Sequence, residues 1–178
     1  MEKSLIGSYN FNVLRSILEG LNLLHRQTGV EVGVLDGGTS LFLLQSFPLL
    51  RLVSVDPYRI YNEYDAPRLS EAEARAAQRL SGFGDRSIRV KEDSVTASKL
   101  LSDNSFDFVF IDADHTYEAV TQDIAAWYSK VRPGGLFCGH DYCWEGVGLA
   151  VNEFSKAQRI SGYFTPPESD IWWFIKPA

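Results

Sequence analysis

The sequence predicts one α/β domain built on a doubly wound, mostly parallel sheet with helices on both faces. The first observation is length, because 178 residues suit a single domain of about 100–200 residues. The second is the order of the predicted elements, because short apolar runs typical of strands alternate with helix-like segments along the chain. The third is the short turn between the last two predicted strands. A parallel crossover needs about a dozen residues or more, so we expect an antiparallel final strand.

The first half of the chain is expected to form three helices and two strands. Apolar residues recur at helical spacing from residue 10 to residue 24. Ser70 and Glu73 form a capping box, which opens an alanine-rich helix that ends before Gly82. In chain order we expect a helix at 10–24, a strand at 29–34, a helix at 39–47, a strand at 51–56 and a helix at 70–80.

The second half is expected to complete a sheet of seven strands. Residues 106–111 are nearly all apolar, as in a strand that is covered on both faces. The run Pro133-Gly134-Gly135 is expected to end the helix before it. In chain order we expect a strand at 87–91, a short helix at 94–101, a strand at 106–111, a helix at 115–130, a strand at 136–139, a helix at 147–158 and strands at 160–165 and 171–176.

Composition excludes or weakens several classes of protein. No run of about 18 apolar residues indicates a transmembrane helix, and the first residues show no signal-peptide pattern. With 17 basic and 23 acidic residues the net charge is −6, a poor balance for neutralising nucleic-acid phosphates. Two cysteines are too few for a disulfide framework. We therefore expect a cytoplasmic protein with reduced thiols that acts on a small molecule, not on nucleic acid or a membrane.

A glycine-rich loop follows the first predicted strand, at the strand end where ligands bind in open α/β sheets. Leu35 stands where a dinucleotide-binding loop has its second glycine, and Asp36 adds a negative charge. A diphosphate is therefore disfavoured there. The alternative is a glycine turn that serves only the close packing of strand and helix. The candidate binding residues of this loop are Glu31, Gly33, Gly37, Gly38 and Thr39.

Two further strand ends add polar side chains to the same crevice. Asp56 ends the second strand, where a carboxylate can accept hydrogen bonds from ribose hydroxyls; the alternative is a turn cap at Asp-Pro-Tyr. Asp93 and Ser94 follow the third strand and either contact an adenine amine or cap the next helix. Acidic side chains favour a cationic adenosine ligand, S-adenosylmethionine, over NAD. The acids of the crevice are Glu31, Asp36, Asp56, Asp93, Asp112 and Asp114.

The densest group of ionisable residues follows the fourth and fifth strands. Asp112, Asp114 and His115 lie in one segment, and His140 and Asp141 lie in the other. Because neighbouring strands lie about 5 Å apart, these side chains are expected to meet. Carboxylates and imidazoles together suit a divalent metal or a general base. The alternative is a structural polar network that caps the following helix.

In these residues the chain resembles class I S-adenosylmethionine-dependent methyltransferases over nearly its whole length. It looks most like the small bacterial methyltransferase domain family 24, which is similar to macrocin-type, catechol-type and caffeoyl-CoA-type O-methyltransferases. The specific matches are the glycine loop and the block from Asp112 to Tyr142. The resemblance implies a Rossmann-like, seven-stranded sheet whose last strand is antiparallel.

The resemblance also implies which residues bind the cofactor. Gly33 and residues 37–39 would hold its methionine part, Asp56 would bind the ribose, and Asp93 and Ser94 would lie near the adenine. The full set of candidate cofactor-binding residues is Glu31, Gly33, Gly37, Gly38, Thr39, Asp56, Asp93, Ser94, Asp112 and Asp114.

A metal is a further implication of the resemblance. In the metal-dependent relatives a carboxylate matching Asp112 and an acidic pair matching His140 and Asp141 bind magnesium, which acidifies the substrate hydroxyl. His140 departs from that pattern because magnesium prefers oxygen ligands. Manganese, iron, zinc or no metal are then alternatives. A second departure is His115, which stands where the catechol-type relatives carry lysine.

The expected reaction is transfer of the sulfonium methyl group, by in-line displacement, to an oxygen of a small molecule. His115 or Asp112, directly or through a metal, would take the hydroxyl proton; nitrogen acceptors remain open. A NAD-type oxidoreductase on the same fold and a non-catalytic cofactor-binding module are the two rival functions.

We expect a single domain over residues 1–178 with a helical extension at 1–28, and a homodimer partner could complete the acceptor pocket.

Overall fold

The computed structural model describes residues 2–20, 27–60, 65–160 and 169–177, with side chains from residue 10 onward. Strands and helices alternate through these ranges. The strands are β1 (Thr28–Val32), β2 (Arg51–Val55), β3 (Ser87–Val90), β4 (Phe106–Ile111), β5 (Val131–Gly139) and β6 (Trp172–Ile175). The helices are α1 (Glu2–Gly20), α2 (Gly38–Ser46), α3 (Ala66–Leu80), α4 (Ser94–Lys99), α5 (Tyr117–Trp127) and α6 (Glu145–Ala157). None of these helices is both long and apolar enough to cross a membrane.

The strands form one sheet in the order β3-β2-β1-β4-β5-β6. Every neighbouring pair is parallel except β5 and β6, so the predicted antiparallel last strand is confirmed. The described residues form six strands and not the predicted seven. The strand predicted at 160–165 lies outside the described residues, apart from Ile160. Because strand order reverses between β1 and β4, a crevice opens beyond their carboxyl ends.

Three element boundaries differ clearly from the predictions. α3 begins at Ala66, with Asp65 as its cap, so the predicted start at a capping box of Ser70 and Glu73 is wrong. β5 begins at Val131 and not at residue 136, because the Pro133-Gly134-Gly135 run does not break the sheet. Gly134 has a φ of 75° and its amide donates to the Lys176 carbonyl oxygen at 2.8 Å, so the bend is absorbed within the β5–β6 ladder. α1 begins at Glu2, before the predicted start at residue 10, and the predicted end of this helix lies outside the described residues.

The core lies on both faces of the sheet, as the doubly wound prediction requires. On one face large aromatic side chains from α5, β5 and β6 pack together; they are Trp127, Phe137, Trp172 and Phe174. On the other face leucines of α1 and α2 cover β4; they include Leu14, Leu18, Leu43 and Leu44. Packing on both faces therefore keeps the strand ends in fixed positions around the crevice.

Candidate functional site

Two cavities lie at the carboxyl ends of the strands. Cavity A has a volume of about 260 Å³ and is lined from β1, β2, α4 and α5, chiefly by Gly33, Asp56, Pro57, Arg59, Ile60, Asp93, Ser94, Ala113, Asp114, Gln122 and Asp123. Cavity B has a volume of about 470 Å³ and is lined by Asn10, Phe11, Leu14, Thr39, Phe110, Asp112, His140, Asp141, Asp170 and Ile171. The predicted candidates are thus divided between two sites.

Gly33 lies between the two cavities. Its φ is 92°, a conformation that disfavours any other residue type. A Cβ atom at this position would collide with the carbonyl oxygen of Asp112, the residue that follows β4. The Gly33 amide also donates to the Val55 carbonyl oxygen at 2.9 Å. The glycine therefore lets the end of β1 approach the end of β4, so that a residue lining cavity A meets a residue lining cavity B here.

The other loop residues have different surroundings. Gly37 has a φ of 78°, and a Cβ atom there would lie 3.1 Å from the Ala76 Cα atom of α3, so this glycine serves close packing. The Gly38 amide donates to Asp36 Oδ1 at 3.2 Å at the start of α2. Thr39 lines cavity B and not cavity A. The packing alternative therefore explains Gly37, while Gly33 both packs and lines a cavity.

Asp56 fastens the loop after β1 to the end of β2. Its Oδ2 atom accepts hydrogen bonds from the amides of Val34 and Leu35, both at 2.9 Å. Its Oδ1 atom accepts one from the Tyr58 amide at 2.8 Å. The predicted turn cap is thus present, and Asp56 also lines cavity A. Since a carboxylate oxygen can accept two hydrogen bonds, Oδ1 retains capacity for a ribose hydroxyl.

Two acids of the predicted crevice do not reach either cavity. Glu31 is buried and accepts a hydrogen bond from Ser40, which also lies 2.8 Å from the Ser54 hydroxyl. Burial raises the pKa of Glu31 well above its ordinary value. Asp36 instead pairs with Arg79 of α3 at 2.7 Å. The crevice therefore has fewer free carboxylates than predicted, because Glu31 lies inside the core and Asp36 is paired with an arginine outside the cavities.

Asp93 and Ser94 both line cavity A and both also serve α4. Asp93 caps the helix by accepting from the Thr96 amide at 2.9 Å, which gives the predicted cap. The Ser94 hydroxyl donates to Asp123 and accepts from the Trp127 indole at 2.8 Å. Its hydrogen is therefore already used within the protein. Of this pair, Asp93 keeps the greater capacity to bind a ligand at the rim of cavity A.

Asp123, a buried acid of α5 that lines cavity A, is not among the site residues predicted from the sequence. Burial raises its pKa to about 7, although the hydrogen bond from Ser94 opposes the rise. A signal was present in the sequence, because Asp123 lies on the same helical stripe as Val120 and Trp127. A carboxyl on an apolar stripe is rarely found without a partner or a function.

Four ionisable side chains meet at the ends of β4 and β5, as the sequence predicted. His115 Nε2 lies 2.8 Å from Asp141 Oδ2, and His140 Nδ1 lies 3.1 Å from the same oxygen. Each histidine lies 3.8 Å from Asp112 Oδ1. Asp112, His140 and Asp141 line cavity B, whereas Asp114 lines cavity A and accepts from the Thr116 amide at 2.8 Å.

The electrostatics of this cluster bear on the predicted base. The neighbouring carboxylates of Asp112 and Asp141 raise the pKa of His115 to about 10. Burial opposes ionisation of Asp141, but the two neighbouring histidines hold its pKa well below the ordinary range. Burial raises the pKa of Asp112. His115 therefore carries a proton near neutral pH and cannot accept another, which leaves Asp112 as the better proton acceptor of the predicted pair.

The cluster also has the donor atoms for a metal. Ligand atoms of two groups of three lie within 4.8 Å of one another, namely Asp112, His115 and Asp141, and His140, Asp141 and Asp170. Mixed carboxylate and imidazole donors fit manganese, iron or zinc better than magnesium. Since His115 bridges Asp112 and Asp141 as a cation, a metal bound to both carboxylates must displace its proton or its ring.

Helix α1 closes one side of cavity B, a contribution that the sequence analysis did not assign to particular residues. Asn10 is buried, and its Nδ2 atom lies 2.8 Å from His140 Nε2. Phe11 stacks on Phe42 of α2, with ring centroids 4.9 Å apart. On the other side of the cluster Trp144 packs against His115 at 5.0 Å. The ionisable cluster therefore faces a cavity with aromatic and apolar walls.

Solved structures share this architecture. CalS11, a TDP-rhamnose 3'-O-methyltransferase of calicheamicin biosynthesis, matches with 16% identity over 92% of this chain and 77% of its own, at a TM-score of 0.62. The O-methyltransferase NovP matches with 15% identity over 94% of this chain and 79% of its own, at a TM-score of 0.70. Cofactor-bound Rv0187 from MTB matches with 18% identity over 92% and 79%, at a TM-score of 0.63.

Sequence comparison identifies the family. An uncharacterised protein of Acanthamoeba polyphaga mimivirus is 26% identical over 150 residues, which are 81% of this chain and 66% of that protein. The chain thus spans just under two thirds of that relative's length. A family model described as a methyltransferase domain matches residues 30–142, which is more than half of the chain and runs from β1 to just beyond β5. The chain belongs to this methyltransferase family, and its fold is that of the class I S-adenosylmethionine-dependent methyltransferases.

Proposed function

We propose that this methyltransferase methylates an oxygen atom of a neutral small molecule. The adenosine part of S-adenosylmethionine would lie in cavity A and the acceptor in cavity B. The observation that carries this proposal is the close approach of Gly33 to the Asp112 carbonyl, because Gly33 lines cavity A and Asp112 lines cavity B, so the two cavities come close together at this junction of β1 and β4. A donor and an acceptor bound there would need little further movement to meet.

Residues of cavity A suit a nucleoside. Asp56 has capacity for a ribose hydroxyl at Oδ1, and Pro57, Ile60 and Ala113 offer apolar surface to a flat base. S-adenosylmethionine supplies the chemistry, an activated methyl group on a sulfonium. The positive charge of the sulfonium would be favoured by Asp112, which lies next to Gly33 at the boundary between the two cavities.

Residues of cavity B suit deprotonation of a hydroxyl. Asp112 would accept the hydroxyl proton, and its raised pKa increases its strength as a base. His115 would stay protonated between Asp112 and Asp141 and orient both carboxylates. No lysine or arginine lies among the described residues that line cavity B. We therefore favour an acceptor whose reacting end is uncharged.

A divalent metal is part of the proposal. Asp112, His140 and Asp141 would hold it, and it would supply a Lewis acid that lowers the pKa of the acceptor hydroxyl. The chain's own residues contribute in either case, because Asn10 restrains the ring of His140 at 2.8 Å. The predicted homodimer and the predicted cytoplasmic location stay predictions.

Calorimetry tests the proposal at its first step. S-adenosylhomocysteine should bind the full chain in the micromolar range, and NAD should not bind. A screen of hydroxylated acceptors with S-adenosylmethionine, with and without Mn²⁺ or Mg²⁺, then tests turnover. Binding of NAD alone would indicate an oxidoreductase. Binding of S-adenosylhomocysteine without turnover of any oxygen or nitrogen acceptor would indicate a non-catalytic module.

A further inference from the structure

Cavity A contains a buried carboxylate to which the proposed reaction gives no task. Asp123 is only 5% exposed, yet it lines the cavity from α5. Its Oδ1 atom accepts the hydrogen bond from Ser94. No group within the described ranges donates a hydrogen bond to its other oxygen, Oδ2. Asp123 lines cavity A, so a ligand bound there that supplies a hydrogen-bond donor to Oδ2 would be stabilised in this largely buried position.

The direction of the hydrogen bonds around Asp123 is determined by Trp127. An indole N–H can only donate, and it donates to the Ser94 oxygen at 2.8 Å. The Ser94 hydrogen is then free to point at Asp123, which accepts it at Oδ1. The chain Trp127–Ser94–Asp123 is thus oriented from the core toward cavity A. Burial raises the pKa of Asp123 to about 7, so in titrations at pH 8.5 the side chain is a carboxylate and the atom at the end of this chain, Oδ2, is an acceptor and not a donor.

We propose that Asp123 sets the base specificity of the cofactor site, with its Oδ2 atom accepting a hydrogen bond from the exocyclic amino group of adenine. The inference rests on the proposed function, because it takes cavity A as the adenosine site. A purine with a keto group at the same position would bring a carbonyl oxygen against the carboxylate. Two unpaired acceptors would then face each other in a buried site, which is strongly unfavourable.

The other polar groups of the cavity account less well for such selectivity. The Gln122 side chain offers both a donor and an acceptor, so it can satisfy an amino group or a keto group. Asp93 is half-buried at the rim, where water can reach it and replace a lost hydrogen bond. Asp123 differs from both because it is buried and its orientation is fixed by its neighbours.

Asp123→Asn gives a directional test. The Ser94 hydrogen still requires an acceptor, so the asparagine oxygen would face Ser94 and its NH₂ group would face cavity A. The variant should therefore prefer the keto base. We would titrate S-adenosylhomocysteine and S-inosylhomocysteine into wild type and variant by calorimetry. Wild type should favour the adenine ligand by at least about tenfold, and the variant should lose or invert that preference, shifting the ratio by about a hundredfold.

Two comparison variants separate specificity from structure. Asp93→Asn is the matched carboxylate of the same cavity and should change the ratio of the two affinities by less than about threefold. Ser94→Ala removes the orienting hydroxyl and should reduce the preference without inverting it. An unchanged ratio in Asp123→Asn, or an inversion in Asp93→Asn instead, would overturn the proposal.

The wild-type protein provides an independent readout in case Asp123→Asn does not fold, which thermal unfolding would reveal. Here S-adenosylhomocysteine is compared with its analogue that carries unsubstituted purine. A loss of about tenfold or more supports the proposal, and equal affinities overturn it. Failure of wild type to bind any of these ligands would overturn the proposed function itself, an outcome distinct from failure of the specificity assignment.

Discussion

Replacing His115 by glutamine should destabilise the protein at low pH and have a progressively smaller effect as pH rises. The pKa of His115 is raised in the folded protein, from 6.5 to about 10. A raised pKa contributes stability that is fully present below the unfolded value and is lost as pH rises through the folded value. The glutamine variant lacks the charge at every pH, so the free energy of unfolding should differ most from wild type at pH 6.

The magnitude follows from the shift and from the exposure of the pair. A rise from 6.5 to about 10 corresponds to at most about 5 kcal/mol, at 1.36 kcal/mol for each pKa unit. The side chains of His115 and Asp141 are 20% and 19% exposed, and solvent screening reduces the effect. The contact between His115 and Asp141 also lowers the pKa of Asp141, and its contribution to the free energy of unfolding must not be counted once for each partner. We therefore expect about 2–3 kcal/mol at pH 6, a little over half of that at pH 8 and about a fifth at pH 9.5.

Urea denaturation of wild type and variant at these three pH values measures the difference. Arg15→Met is a suitable control because it breaks an exposed ion pair with Glu19 on α1, whose partners are 51% and 52% exposed. An exposed ion pair contributes little, so the control should change stability by less than about 1 kcal/mol at every pH. A His115→Gln effect that is constant with pH, or that grows above pH 8, would refute a charged His115.

Three further predictions concern the site. Asp112→Asn should lower kcat by about 10²–10⁴-fold while calorimetry shows an unchanged Kd for S-adenosylhomocysteine; retained turnover would exclude Asp112 as the base. Gly33→Ala should lower the free energy of unfolding by more than about 2 kcal/mol, because its φ of 92° and the Asp112 carbonyl leave no room for a Cβ atom; near-normal stability in a urea titration would contradict this packing. Mn²⁺ affinity, measured by calorimetry, should rise between pH 6 and pH 9, because binding displaces the His115 proton; an affinity that is independent of pH would place the ion elsewhere.

The fold could be predicted because its signals are local. β4 is nearly all apolar and its side chains are buried on both faces, which residues 106–111 alone indicate. The start of β5 could not be predicted, because a proline and two glycines usually end an element. Here the ladder with β6 absorbs them through a hydrogen bond from Gly134 to Lys176, which lies far away along the chain. Such tertiary compensation leaves no mark on the segment itself.

The site could be predicted as a set of strand ends but not as a set of partners. His140 and Asp141 meet Asp112 and His115 because parallel neighbours bring their carboxyl ends together. The number of carboxylates that face the crevice was harder to predict. Glu31 is buried in the core and Asp36 pairs with Arg79, which lies 43 residues further along the chain. Whether a carboxylate faces a ligand depends on side-chain direction and on distant cations, and spacing along the sequence reports neither.

The contact between Gly33 and Asp112, where the two cavities come close together, has a consequence for protein engineering. Where Gly33 meets the Asp112 carbonyl, the contact is made by main-chain atoms and leaves no room for a side chain on Gly33, so this position offers no scope for substitution. Among the described side chains of α1, by contrast, Asn10, Phe11 and Leu14 line cavity B and none lines cavity A. Under the proposed function, libraries restricted to these three positions of α1 would vary the range of acceptors and leave the side chains that line the proposed adenosine site unchanged.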